Sequence, residues 1–275
     1  MKAKISLAVL VLVLALLLCA CGIAPANSAQ IETQAPTEVP TIPPTEAPTA
    51  PSTEAPTEAP TEAPTEDNSV QVTLGTIKDG TYKNMYASFD GFFSFNGIGC
   101  KFDENWKVYS VEELQDLSAN VQAILKDSKL SNAANATEQF LDMKAENLSE
   151  LTTVNVLYTG MGSMYTMYQW MSEELIIDAM LANESALIAS MQNMGYTDIK
   201  IQKVTVNFLG KEHVAVKTST KIQGVNYYIL QVFDYSAGPY SVTVTAASYA
   251  EDKTQEILDM FYVVTPFSDF VVPNS

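Results

Sequence analysis

Between residues 196 and 249 apolar side chains fall mostly on alternate positions, the period of a strand that covers a core with one face. Val214, Val216, Thr218, Thr220 and Ile222 alternate, and Gln223-Gly224 ends the run with a turn signal. From 225 to 235 both phases are apolar, with Val225, Tyr227, Ile229, Phe233 and Tyr235 set against Tyr228, Leu230 and Val232. Such a strand is covered on both faces and belongs inside a sheet. After a break at 236–239, Tyr240, Val242, Val244 and Ala246 alternate again. Upstream, Ile199 and Ile201 occupy one phase and Val204, Val206 and Phe208 the other, which predicts a bulge near Gln202. Connections this short give an antiparallel meander. Residues 82–95, 99–108 and 154–158 read as further strands, and 139–145 as strand or helix.

Three segments carry the longer helical period instead. Ser110-Val-Glu-Glu113 forms a capping box, in which serine and glutamate satisfy each other's orphan amides, and Leu114, Leu117, Val121 and Leu125 extend a helix over 111–126. Ser172 before Glu173 and Glu174 starts a second helix, with its acids at the positive end of the dipole. Ile176, Met180, Leu187, Met191 and Met194 lie along one face of it, and Gly195 stops it, so it is expected to be the longest. A third helix is expected over 252–262, carrying Ile257, Leu258 and Phe261. The fold class is therefore α+β, a mostly antiparallel sheet with helices against its faces.

The chain before this region is built differently. After Lys2 and Lys4, residues 5–18 are apolar except for Ser6, long enough for a signal-peptide core and short of the roughly 20 residues that span a bilayer. Leu18-Cys19-Ala20-Cys21 follows and resembles the lipobox of bacterial lipoproteins, with a leucine three before the cysteine and a small residue just before it. Cys21 meets both requirements, whereas Cys19 is preceded by bulky Leu18. The resemblance implies a signal peptide at 1–20, a diacylglyceryl group on Cys21 and a cell-membrane location on the extracellular face. Two acyl chains anchor stably where one anchors marginally, since each buried CH₂ contributes about 0.8 kcal/mol. An ordinary cleaved secretion signal is the alternative.

From 21 to 68 the chain reads as a disordered linker. TEVP at 37–40 is followed by TEAP at 45–48, 53–56, 57–60 and 61–64, a repeat with nothing to bury. Proline at this spacing favours polyproline II, and the seven glutamates and Asp67 repel one another, so the linker extends to on the order of 140 Å. Residues 69–275 then form one globular domain. It carries 13 lysines against 24 acids, and the chain has no arginine, which argues against nucleic acid and against anionic lipid surfaces. With Cys19 and Cys21 accounted for, Cys100 is the one thiol left, so the domain relies on packing.

Three stretches carry a further resemblance: GIGCKFDENWKVYSVEEL at 97–114, MGYTDIKIQKVTVNFLGKEHVAVK at 194–217 and SYAEDKTQEILDMFYVV at 248–264. Their spacing and glycine placement resemble a group of mostly uncharacterised Gram-positive lipoproteins whose fold is similar to PsbP and DcrB. The resemblance implies an α/β/α sandwich on an antiparallel sheet and an assembly or interaction role. It carries over no catalytic residue and no cofactor.

Candidate chemistry is sparse. His213, the single histidine, lies in Gly210-Lys-Glu-His213, expected at a hairpin turn; as a base it would need a nucleophile, and Cys100 is the one thiol available. A buried core thiol is the alternative. Met161, Met164, Tyr165, Met167, Tyr168, Trp170 and Met171 crowd together, and the stretch reads as core packing or as a partner-facing patch, with Cu(I) binding a third option for the thioethers. Calcium loops, zinc-protease motifs, phosphate loops and serine elbows are missing from the sequence. The expected function is a membrane-anchored extracellular lipoprotein presenting a non-catalytic interaction or assembly module on an extended tether, its partner an envelope protein or extracellular ligand. A small-ligand receptor and a wall-acting enzyme using Cys100 and His213 are the alternatives.

Overall fold

The computed structural model describes residues 75–90, 96–118, 139–161, 165–168, 170–235 and 239–265, and these all belong to one compact unit. The lipobox, the linker and the second half of the first expected helix lie outside the described residues. A small antiparallel sheet holds β1 (Thr76–Lys78), β2 (Thr81–Asn84) and β3 (Gly97–Lys101), with β11 (Phe261–Val264) beside β3. A seven-stranded antiparallel sheet is built from β4 (Lys107–Val108), β5 (Gln139–Asn147), β6 (Thr152–Gly160), β7 (Tyr196–Phe208), β8 (Lys211–Ile222), β9 (Val225–Asp234) and β10 (Tyr240–Tyr249). Its order is β4-β5-β6-β10-β9-β8-β7, so the doubly apolar β9 lies inside the sheet, as its sequence demands. Helical segments are α1 (111–118), α2 (Tyr165–Tyr168), α3 (Glu173–Leu181), α4 (Glu184–Asn193) and α5 (Thr254–Leu258). The class is mixed α+β.

Local chemistry explains the connections. Asp79-Gly80, Leu209-Gly210 and Gln223-Gly224 each have positive φ at both residues, and each joins two strands by a two-residue turn whose twist matches the sheet. Ser110 Oγ accepts from Glu113 N at 3.3 Å while Glu113 Oε2 accepts from Ser110 N at 2.8 Å, completing the capping box. Ser172 Oγ caps α3 through Leu175 N at 3.3 Å, and Gly195 leaves α4 at φ 91°.

Several expectations need correction, beginning with the strands read over 82–95 and 99–108, since β2 ends at Asn84, β3 ends at Lys101 and Lys107–Val108 is a separate strand, β4, of the other sheet. The long helix is two helices, because Ala182 and Asn183 turn the chain after Asp178 and Met180 carbonyls accept their amides. One apolar stripe still runs through both, since Ile176, Ile177, Met180, Leu187 and Met191 are all buried. The third helix stops at Leu258, and Phe261 opens β11 opposite Cys100, where an aromatic and β-branched run suits a strand. The bulge in β7 lies between Thr197 and Lys200, where Asp198 has φ 53°, and pairing runs unbroken past Gln202. The apparent change of phase has a simpler cause. Ile199 and Ile201 face the helices, and further along the same strand Val204, Val206 and Phe208 face the opposite layer.

The two faces of the large sheet have different covers. On the first, Phe140, Val156, Val232 and Val244 pack against Tyr82, Ile98, Cys100 and Phe261 of the small sheet and against Ile257 and Leu258 of α5. That layer is mainly a sheet, where a helical layer was expected. On the second face α3 and α4 pack on Val216, Tyr227, Ile229, Phe233 and Tyr249. Toward β5 the second face turns polar: Lys144, Asn155, Thr245 and Gln231 are cross-strand neighbours in one row, each at most 1 % exposed. A buried polar atom without a partner costs on the order of 1–3 kcal/mol, so such a row is an expensive way to build an interior.

The two sheets are joined at Asp142, the extra residue in the β5 bulge between Leu141 and Met143. Its carboxylate accepts from Tyr82 Oη at 2.5 Å, from Asn84 Nδ2 at 2.7 Å and from Gly75 N at 3.0 Å. Asn84 Nδ2 also reaches Tyr158 Oη at 2.8 Å, and its Oδ1 accepts from Tyr86 N at 2.7 Å. Burial and the Asp142 charge push the Tyr82 phenol well above its ordinary value, so it remains a donor. A Cβ at Gly75 would lie 2.4 Å from the Tyr82 ring and 2.7 Å from Asp142 Oδ2, so only glycine lets the backbone reach the carboxylate here. Replacing Asp142 by Ala removes the acceptor shared by the buried Tyr82 Oη and Asn84 Nδ2 and the half-buried Gly75 N; we expect a loss of about 2 kcal/mol or more in urea unfolding, with Asp142→Asn intermediate.

Candidate functional site

At the end of the large sheet where β6 and β9 finish and β8 and β10 begin lie the methionine and aromatic stretch and the start of α3, which reaches the histidine through Glu173. The structure divides that stretch. Met161 is buried and donates its amide to Pro239 O at 2.9 Å. Met164 and the side chain of Tyr165 lie outside the described residues, although Tyr165 opens α2. Tyr168 is half-buried and stacks on Tyr235 with ring centroids 5.5 Å apart and planes at 17°. Met171 packs on the helical core. Met167, by contrast, is 51 % exposed, and Trp170 at 83 % is the most exposed large apolar side chain among the described residues. The short helix α2 therefore has an anchoring ring, Tyr168, with Met167 displayed beside it and Trp170 displayed just beyond its end.

The Tyr235 ring beneath the anchor is itself packed against α3. Tyr235 Oη approaches Met180 Sδ at 3.6 Å, and burial, then the nearby Tyr168, Asp234 and Glu173, push its phenol well above the ordinary range. Glu173, first residue of α3, reaches back to β8, where Oε1 lies 2.7 Å from His213 Nδ1 and Oε2 accepts from Val214 N at 2.9 Å. Partial burial alone would raise the Glu173 carboxyl; the His213 bond, the Val214 amide and the histidine's charge outweigh it and hold the group below 4.5. In sequence Glu173 shows only as a favourable acid in a first helical turn. Nothing local links it to a residue 40 positions on.

His213 is not in the hairpin turn. The turn is Leu209-Gly210, and His213 is the third residue of β8, 5 % exposed, with its ring edge-on to Phe89 and Phe208 at 6.1 Å each. Its Nε2 is buried without a hydrogen-bond partner. Cys100 sits in the first core, fully buried, where desolvation pushes its thiol up to about 12. A thiol there stays protonated at neutral pH and is a poor nucleophile. Among the described residues, no three His, Cys, Asp or Glu side chains are grouped to hold a metal ion. A surface depression of about 220 Å³ beside α5, between Asp103, Trp106, Asn147 and Lys253, has its lysine already paired with Glu150 at 3.3 Å.

No family model matches the chain, and no curated protein sequence does. Among solved structures it is similar to LpqN, described as involved in cell envelope biogenesis of Mycobacterium tuberculosis. The two are 8 % identical, over 64 % of this chain and 87 % of that one, with a TM-score of 0.31.

The Glu173 contact has a definite pH signature. The folded value lies below the ordinary one, so its stabilisation is fully present above about pH 4.5 and is lost as pH falls through the folded value. Carboxyl ¹³C titration by NMR should place the Glu173 midpoint below 4.5, and His213→Gln should move it upward.

Proposed function

We propose that this chain is an extracellular, lipid-anchored envelope lipoprotein whose domain is a non-catalytic interaction module. The exposure of Trp170 carries the proposal: a large aromatic side chain held out in water, on a turn pinned by the Tyr168–Tyr235 stack, is the kind of group that anchors a protein–protein contact. Met167 beside it adds an adaptable apolar surface, and Leu175 on α3 is also exposed. The partner accordingly presents an apolar socket to this surface. The anchor is assigned to Cys21 and the reach to the linker at 21–68, which together set the module on the outer face of the membrane. The likeness of three sequence stretches to the PsbP and DcrB group belongs to the same proposal, since it implies an assembly or interaction role.

Two experiments test it. Metabolic labelling with a palmitate analogue should mark the wild-type chain and not Cys21→Ser. In crosslinked envelope fractions, a partner species should be recovered by the wild type and by Tyr86→Ala, another exposed aromatic, and be lost with Trp170→Ala. Trp170→Ala should leave unfolding within about 0.5 kcal/mol of wild type, because the side chain is largely solvated. Recovery of the same species by Trp170→Ala would remove the assignment.

A further inference from the structure

The surface depression beside α5 lies at the end of the large sheet away from Trp170, where β5 and β10 finish and β6 begins. Three segments converge on it. The turn between β3 and β4 supplies Asp103 and Trp106, the turn between β5 and β6 supplies Glu150, and α5 supplies Glu256 and Ile257. Asp103 shapes the first turn, its carbonyl accepting from Trp106 N at 3.2 Å and its Oδ1 from Asn105 N at 2.9 Å. The half-buried Trp106 ring lies 5.5 Å from Phe102, centroid to centroid, and packs on the first core. With Ile257 it gives the depression an apolar wall.

Around that wall the fold leaves hydrogen-bonding capacity unused. Asn147, the last residue of β5, is 5 % exposed, and its Oδ1 accepts from Ser149 N at 3.1 Å, Ser149 Oγ at 2.6 Å and Glu150 N at 3.2 Å. Its Nδ2 donates to no group among the described residues, and neither does the Trp106 indole N–H. Glu256 makes no ion pair or hydrogen bond among them, and Asp103 keeps Oδ2 to spare. Glu150 is taken by Lys253 Nζ at 3.3 Å. Unspent donors and unspent acceptors therefore line one space of about 220 Å³.

We propose that this depression holds one uncharged pyranose ring of a glycan chain. The C–H face of a pyranose packs on an indole, and its hydroxyls both donate and accept, as the mixed set of Asn147 Nδ2, Trp106 Nε1, Asp103 and Glu256 requires. An anion fits poorly, because three carboxylates line the space and its one ammonium is already paired with Glu150. A purely apolar ligand would leave the donors and acceptors unmatched. The space opens to the surface, so the linkage positions of the ring remain in water.

The chain has two tryptophans, Trp106 and Trp170, so ¹⁵N-indole labelling of the full-length protein reports the two ends of the sheet separately, with Trp170→Phe to assign the signals. Methyl β-glucopyranoside, methyl β-galactopyranoside and methyl α-mannopyranoside are the probes, since their anomeric oxygen is capped as in a chain; glucuronate and glycerol are the controls. At least one pyranoside should shift the Trp106 signal saturably, with Kd on the order of 1 mM, and leave Trp170 in place. Glucuronate should bind about tenfold more weakly or worse, and glycerol should not saturate. Asn147→Asp keeps the oxygen that holds the turn and removes the donor, and should weaken binding about tenfold. Glu256→Ala, at an exposed position of α5, should weaken it several-fold and serves if Asn147→Asp does not fold. No saturable Trp106 shift with any of the three pyranosides, an equal response to glucuronate or glycerol, or full affinity in a variant that folds would each overturn the proposal.

Discussion

A single buried carboxylate holds the two sheets in register. Asp142 exists as an inward-pointing group because β5 carries one residue too many at the bulge, and that irregularity turns a charge toward the core. A charge in such a place is tolerable only if fully paired, and the pairing comes from the small sheet: a phenol from β2, an amide side chain from β2 and a backbone N–H just ahead of β1. The small sheet has four short strands and would be marginal alone. Docked through Asp142 and the aromatic contacts among Phe89, Phe208 and Phe261, it becomes the lid of the first core.

With that face closed, the sheet is free to spend its other features differently. Its second face is apolar under α3 and α4 and polar toward β5, so one sheet carries both a helical core and a strip of buried donors and acceptors. Its end carries the Glu173–His213 contact, which ties the start of α3 to β8, and the Tyr168–Tyr235 stack, which ties α2 to β9. Both contacts immobilise backbone on either side of Trp170. For the proposed interaction role this matters, because a displayed aromatic side chain gives most binding energy when little ordering remains to be done.

The meander was legible in the sequence because alternation, two-phase burial in 225–235 and the Gln223-Gly224 turn are local signals. The capping residues Ser110 and Ser172 were legible for the same reason. What could not be read depends on distant partners. Asp142 looks like an ordinary strand acid until Tyr82 and Asn84, some 60 positions earlier, are seen beside it. Glu173 and His213 are separated in the same way. Phe261 fits a helical stripe with Ile257 and Leu258, yet pairing with β3 across the fold decides otherwise. The methionine and aromatic stretch had no single environment to predict: Met161 went inside, Met167 and Trp170 outside, and Tyr168 between.

If Asp142 couples the sheets, they should open together. Native-state hydrogen exchange across increasing denaturant measures this directly. Amides of β2 and β3 should merge with those of β6, β9 and β10 into one global opening isotherm in the wild type, and separate into an earlier opening in Asp142→Ala. A small sheet that already exchanges as an independent, less stable unit in the wild type would contradict the account.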